Sequence, residues 1–269
     1  MRLIRFQDEQ GTVCMGREKD SGVAELCQGG FVKGYKPTGK TAGIRRLLAP
    51  VAPVNVFCIG LNYRRHAQES RAPFPQYPVV FMKPTTAVAG PGDPVRIPRV
   101  AAAAGEVDYE CELAVVIGRQ ARDVPEGKAL DYVFGYTAAN DISARAWQRA
   151  CGGQWVHGKS FDSFCPIGPA LVTADEIPDP QTLGIKMILN GQVMQDSRTS
   201  DMIFPVAKLV SFLSEDTTLL PGTLILTGTP GGVGGARTPP VWLKHGDELV
   251  VELEKIGRLA NRVVGAHGQ

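Results

Sequence analysis

No run of apolar residues in this 269-residue sequence approaches the roughly 18 that a membrane-spanning helix needs. Asp8 and Glu9 fall where a secretory signal would carry its apolar stretch, so the chain reads as soluble and cytoplasmic, with no membrane partner. An excess of one charge is also missing. Lys and Arg number 29 against 27 Asp and Glu, a net charge of +2, and no basic cluster is long enough to follow a phosphate backbone. Nucleic acid is therefore excluded as a partner. The six cysteines contain no C-x-x-C pair, which argues against a thiolate zinc site and, at this length, against a disulfide scaffold. Cys58 and Cys111 lie in apolar runs as small core residues, while Cys151 and Cys165 have no adjacent histidine to activate them as nucleophiles. Internal repeats and low-complexity tracts are absent as well.

Glycine, proline and β-branched residues are plentiful, and the apolar segments are short with turn residues between them. That pattern favours a sheet-rich α/β or α+β fold over a helical bundle. Strands are expected over 54–59, 79–82, 113–117, 170–173, 185–189, 223–226, 248–253 and 259–264. Asn190-Gly191 signals a two-residue hairpin turn, because a type I′ turn requires positive φ at both positions. Val206, Leu209, Val210 and Leu213 recur at helical spacing behind Pro205, which suits a helix start. A shorter helix is expected from Asn140 or Asp141, carrying Arg145 and Gln148 along one side. Residues 1–50 are more weakly patterned and read as a small N-terminal section ahead of a main domain over 51–269.

Chemistry concentrates around Glu110 and Glu112, in the run Asp108-Tyr109-Glu110-Cys111-Glu112 that leads into Leu113-Ala114-Val115-Val116-Ile117. Residues i and i+2 of a strand share a face, so the two carboxylates point the same way and repel. A hard divalent cation relieves such repulsion and takes oxygen ligands. Spacing alone leaves open a second reading, a solvent-facing acidic edge of a half-buried strand.

Four further clusters mix glycine with polar residues. In Gly60-Leu61-Asn62-Tyr63-Arg64-Arg65-His66-Ala67-Gln68-Glu69, a helical turn would let Glu69 contact His66 and raise its basicity, as a general base requires, although such pairs are common on surfaces. Asp141, in Gly135 to Gln148, is equally suited to capping a helix. Lys159 lies between Gly158 and Ser160, where an ordinary surface lysine is the default, and His157 reads as an exposed loop residue. The turn after Leu226, Thr227-Gly228-Thr229-Pro230-Gly231-Gly232-Val233-Gly234, presents free N–H groups able to hold an anion. It is no nucleotide loop, because no helix opening with Lys-Ser/Thr follows. His245 and His267 sit in a turn and in the tail.

In order and spacing, these segments resemble the fumarylacetoacetate hydrolase family from about Val54 to Val264. The resemblance rests on N-Y-x-x-H-x-x-E (Asn62 to Glu69), Y-E-x-E-L (Tyr109 to Leu113), G-Y-T-x-x-N-D-x-x-A-R (Gly135 to Arg145), G-K-S-F-D (Gly158 to Asp162) and L-T-G-T-P-x-G-V-G (Leu226 to Gly234). It implies an α+β fold, a β-rich mixed-sheet roll with peripheral helices, in a homodimer. It also implies Mg²⁺, or Mn²⁺ or Ca²⁺, on Glu110, Glu112 and Asp141. The implied catalytic residues are His66, Glu69 and Lys159, and the implied substrate contacts are Arg145, Gln148, Gly228 and Thr229. Relatives commonly carry an acid after the arginine, where this chain has Ala146, so any ion-pair partner of that acid is expected to be left unpaired and substrate preference to be affected.

The implied activity is metal-dependent hydrolysis of C–C bonds in acylpyruvate-type or 2,4-dioxo acids. The same residues suit an oxaloacetate decarboxylase or keto–enol tautomerase, and fold alone does not choose between them. A metal-containing binding protein without turnover is the third reading, opposed by the presence of His66, Glu69 and Lys159 together.

Overall fold

The computed structural model describes residues 1–20, 22–103, 105–150 and 152–265. Cys151 and His267 lie outside them. The fold is α+β and β-rich, organised around the strand Cys111–Ile117, in which every residue is buried. Leu113, Val115 and Ile117 enter one apolar core, and Ala114 and Val116 enter another on the opposite face. Burial on both faces explains why this strand reads as an unbroken apolar run rather than an alternating one. Each large aliphatic side chain so buried contributes about 1.5–3 kcal/mol.

Cys111–Ile117 pairs antiparallel with Val133–Asn140 on one side and with Leu224–Leu226 on the other. The sheet continues from Leu224–Leu226 through a parallel pairing to Val56–Gly60 and an antiparallel one to Val79–Lys83, and from Val133–Asn140 to Cys165–Thr173. A second sheet, in the order Gln192–Arg198, Gly184–Leu189, Glu248–Leu253, Gly257–Val264 and Val95–Arg96, covers one face of the first. Ile185, Met187, Leu249 and Val251 from it join Leu113 and Val115 in the shared core. The strands Arg2–Gln7, Val13–Asp20, Val23–Gly30 and Gly34–Gly43 form a meander whose first member pairs with Cys165–Thr173, Leu3 opposite Leu171.

The Asn190-Gly191 hairpin forms as expected, with φ of 50° and 81° at the two positions. Helix Val206–Ser214 starts after Pro205 and buries Val206, Leu209, Val210 and Leu213. One expectation needs correction: no helix begins at Asn140 or Asp141. Asp141 N–H donates to Glu110 O (2.8 Å), Ser143–Ala144 pairs with Val107–Asp108, and Arg145 N–H donates to Glu106 O (2.8 Å), so the neighbouring chain holds this segment extended. The helix spans Arg145–Ala150. Strand Val133–Asn140 escapes sequence patterning because Gly135, Ala138 and Ala139 have poor strand propensity, and its central place between two strands compensates.

Candidate active site

Register delivers the acidic residues to one place. Cys111 lies opposite Asn140, so Glu110 and Asp141, each one residue beyond that pair, are neighbours, and Glu112 lies two residues after Glu110. Asn140 accepts the Glu110 N–H at 3.0 Å and fixes this corner. All three carboxylates are buried, each with an oxygen within 4.8 Å of the others. A solvent-facing acidic edge is thereby ruled out.

Cations crowd two of the three. Lys159, only 2% exposed rather than on the surface, donates from Nζ to Glu110 Oε2 and Asp141 Oδ2, both at 2.7 Å. Arg145 Nη1 lies 2.6 Å from Glu110 Oε1, and its Nε and Nη2 lie 2.9 and 2.8 Å from Asp108 Oδ2. Lys83 Nζ lies 2.6 Å from Asp141 Oδ1 and donates to the carbonyls of Phe164 (2.8 Å) and Lys159. Burial opposes ionisation of Glu110, but Lys159 and Arg145 outweigh it and lower its pKa to about 2. Burial likewise disfavours the Lys159 ammonium, yet Asp141 and Glu110 hold its pKa above the ordinary lysine range.

Glu112 differs. It accepts the Gly228 N–H at 2.6 Å and, among the described residues, forms no ion pair. Burial, then the charges of Asp141 and Glu110, push its carboxyl well above the ordinary value. The buried cluster of Asp108, Glu110, Glu112 and Asp141 against Lys83, Lys159 and Arg145 thus has one carboxylate more than it has cations. An oxygen-liganded divalent ion fits this donor set, because carboxylates suit hard cations and such an ion supplies the counter-charge that Glu112 lacks.

Stability should follow from the sign of that shift. A carboxyl with its folded-state pKa raised favours the folded protein at low pH, and the contribution is lost as pH climbs from the ordinary glutamate value of 4.5 towards the folded-state value. Without metal, Glu112 is therefore expected to make the protein less stable as pH rises above 4.5. Mg²⁺ should raise Tm, and by more at pH 8 than at pH 5, since ligand binding displaces the proton. Thermal melts across pH with and without Mg²⁺ measure both effects; a metal-induced shift independent of pH would count against Glu112 as a ligand.

The glycine-rich turn does hold anions, and they are the protein's own carboxylates. Gly228 N–H binds Glu112, Gly232 N–H binds both oxygens of Glu69 at 3.0 Å, and the N–H groups of Gly234 and Gly235 bind Asp108 at 2.8 and 2.9 Å. Gly228 has φ of 96°, and a Cβ there would lie 2.7 Å from Asn62 Cβ, so a side chain is excluded on two counts.

His66 and Glu69 occupy the short helix Arg64–Glu69, Nδ1 and Oε2 being 3.4 Å apart. Burial works against the Glu69 carboxylate, but hydrogen bonds from His66 and Gly232 bring its pKa below the ordinary value. A cavity of about 650 Å³ is lined by His66, Glu69, Glu110, Arg145, Gln148, Lys159 and Thr229. Glu112, Asp141 and Gly228 are absent from that lining. The amide of Gly228 is taken by Glu112 rather than turned to the cavity. Arg145 Nη1 also donates to Gln148 Oε1 at 3.0 Å, which ties two of the expected substrate contacts together.

Beside Ala146, Arg145 keeps two counter-charges, Asp108 and Glu110. His157 is exposed and stacks edge-on with Trp147, on the short helix Val156–Lys159 rather than in a loop. Cys165 is buried and its thiol is pushed up to about 12 by burial, which removes it as a nucleophile.

Four residues about the site have no role in the sequence reading. Asp108 was legible, because Asp108, Glu110 and Glu112 continue one alternation. Lys83 ends an apolar strand, an unusual place for a charge. Gln195, which bonds Thr229 Oγ1 at 2.9 Å and Cys111 N–H at 3.0 Å, comes from the distant hairpin with no local signal. Trp155 joins the cavity wall and packs on Gly60.

A family model described as fumarylacetoacetate (FAA) hydrolase C-terminal matches residues 55–264. The chain is 48% identical over 220 residues to "Oxaloacetate tautomerase fahd2, mitochondrial" of Xenopus laevis, covering 81% of this chain and 68% of the relative. Identity to the Homo sapiens protein "Oxaloacetate tautomerase FAHD2A, mitochondrial" is 47% over 219 residues, covering 81% and 69%. Among solved structures, 5-carboxymethyl-2-hydroxymuconate delta-isomerase from Mycobacterium smegmatis superposes with a TM-score of 0.86 at 39% identity, covering 98% of this chain and all of that one. The fumarylacetoacetate hydrolase of Exiguobacterium antarcticum gives a TM-score of 0.86 at 36% identity, covering 98% and 99%. Among the described residues no helix is long and apolar enough to cross a membrane.

Proposed function

Because the chain belongs to the fumarylacetoacetate hydrolase family and is an enzyme, we propose that it is a divalent-metal-dependent keto–enol tautomerase of oxaloacetate. The observation that carries this reading is the 48% identity, over four-fifths of the chain, to a protein named for that activity. Hydrolysis of acylpyruvates, the activity first implied by the motifs, becomes the second reading. Its support is the likeness to a solved fumarylacetoacetate hydrolase and a cavity of about 650 Å³, roomy for a four-carbon diacid.

Glu110, Glu112 and Asp141 are the residues that would hold the ion, Mg²⁺, Mn²⁺ or Ca²⁺. When bound, it supplies Lewis-acid charge that makes the carbon next to a 2-oxo group more acidic. Arg145 and Gln148, coupled on the cavity wall, bind a substrate carboxylate. Glu69 faces His66 Nδ1 and favours the tautomer with its proton there, leaving Nε2 free as a base. His66 then takes a proton from C3 of the keto form. The Lys159 ammonium, kept protonated by Asp141 and Glu110, stabilises the negative charge that develops on the 2-oxo oxygen. The proton taken up by His66 is delivered to that oxygen, so one C–H bond breaks, one O–H bond forms and His66 returns to its neutral state; the reverse reaction retraces the same path.

The two readings part on products. Incubated with Mg²⁺, the protein is expected to leave acetylpyruvate intact and to recover oxaloacetate without forming pyruvate beyond the metal-only rate. Stoichiometric acetate and pyruvate from acetylpyruvate would instead establish the hydrolase.

A further inference from the structure

Asp108 is completely buried, lies outside the candidate metal cluster, and has no part in the reaction as derived. Five donors nevertheless converge on its carboxylate. Oδ1 accepts the N–H of Tyr109 (2.9 Å) and Gly234 (2.8 Å), while Oδ2 accepts the N–H of Gly235 (2.9 Å) and of Arg145 Nε (2.9 Å) and forms an ion pair with Arg145 Nη2 at 2.8 Å. The guanidinium is thus gripped along one edge, and its remaining Nη1 meets Gln148 and Glu110 at the cavity wall. Two residues before Gly234, the same turn holds Glu69 through the Gly232 N–H, and Tyr109, next to Asp108, donates from its hydroxyl to Gly232 O at 3.1 Å. One buried carboxylate therefore connects the arginine on one wall with the turn that anchors the His66–Glu69 pair on another.

We propose that Asp108 is a positioning residue that sets Arg145 and the His66–Glu69 pair in register through the 232–235 glycine turn. This rests on the reading of those three residues as the substrate-binding and proton-transfer groups of the cavity. The carboxylate is matched to its site because all five partners are donors, and an acceptor-only group satisfies them together. Asparagine is nearly isosteric, but its NH₂ must face either the turn amides or the guanidinium, so one of the two walls is released. Misplacement by about 1 Å of a group that orients substrate or base can cost up to about a hundredfold in rate.

Asp108→Asn is expected to lower kcat and raise the KM for oxaloacetate by about tenfold each, because base and arginine lose their positions together. Combined with Glu69→Gln, kcat should fall no further than in the worse single variant, since both act on His66 through the same turn, while the rise in KM that comes through Arg145 persists. Hydrogen exchange of the full-length protein reads the connection without reference to activity. Asp108→Asn should speed amide exchange at 232–235 and also in the Arg64–Glu69 helix, which Asp108 does not touch, while Cys111–Ile117 keeps its protection. Tyr109→Phe, which removes one hydrogen bond to the turn and no charge, should give a smaller effect of the same sign and serves if Asp108→Asn does not fold. Unchanged exchange in the Arg64–Glu69 helix in the folded variant, or losses in kcat that multiply with Glu69→Gln, would overturn the proposal. Absence of oxaloacetate turnover in the unaltered protein would strike the proposed function and leave the exchange result standing.

Discussion

Glu110→Gln is expected to abolish metal-dependent turnover, with kcat/KM down by about 10³-fold or more. The carboxylate serves three groups at once: it is a candidate ligand, it receives Lys159 Nζ at 2.7 Å, and it lies 2.6 Å from Arg145 Nη1. Glutamine keeps the shape, but its amide nitrogen turns donors towards a lysine, an arginine or the ion. Removing one partner of a buried ion pair costs about 3–5 kcal/mol, because the charge left behind stays out of water. Here Asp141 and Asp108 remain to pair Lys159 and Arg145, so the loss should sit at the lower end. Urea denaturation measures that cost, and thermal melts with added Mg²⁺ should show no metal-induced rise. A variant that keeps the full rise in Tm would remove Glu110 from the ligand set.

His66→Ala is expected to separate proton transfer from metal holding. Loss of a positioned general base typically lowers kcat by about 10²–10⁴-fold. Stability should change little, since the His66–Glu69 contact is a long 3.4 Å pair at the cavity surface and such pairs contribute about 0–1 kcal/mol. The metal-induced rise in Tm should survive, because His66 lies outside the carboxylate cluster. Turnover at the unaltered rate would show that another group moves the proton and would reopen the reading of a site without this base.

Much of this arrangement was legible in the sequence because its signals are local. The Glu110 and Glu112 alternation, the three-residue spacing of His66 and Glu69, the Asn190-Gly191 turn and the helical recurrence from Val206 to Leu213 each follow from a backbone period. Asp141 was reached by resemblance, and its setting was misread: helix spacing from Asp141 to Arg145 and Gln148 looked continuous, whereas pairing with Val107–Asp108 keeps 141–144 extended. The strands of the first 50 residues were hard to see because their exposed faces carry mixed polar residues, and only their pairing makes the pattern visible. The burial of Lys83 and Lys159 was likewise beyond reach. Lysine is ordinarily a surface residue, and what holds these two inside is a carboxylate cluster assembled from separate strands. The glycine turn carries its capacity for anions in the sequence, while the identity of those anions, Glu69, Asp108 and Glu112, is a property of the folded chain.

Interconversion of the oxaloacetate tautomers by this carboxylate cluster with His66 and Lys159, as proposed, is read from the ultraviolet absorbance of the enol. Freshly dissolved enol-oxaloacetate is followed with Mg²⁺, with and without the protein, and total oxaloacetate and CO₂ are measured in the same samples. The enol signal is expected to relax faster in proportion to protein concentration, with total oxaloacetate unchanged and no added CO₂. Relaxation no faster than with Mg²⁺ alone, or a faster decline matched by equal release of CO₂, would contradict the tautomerase reading.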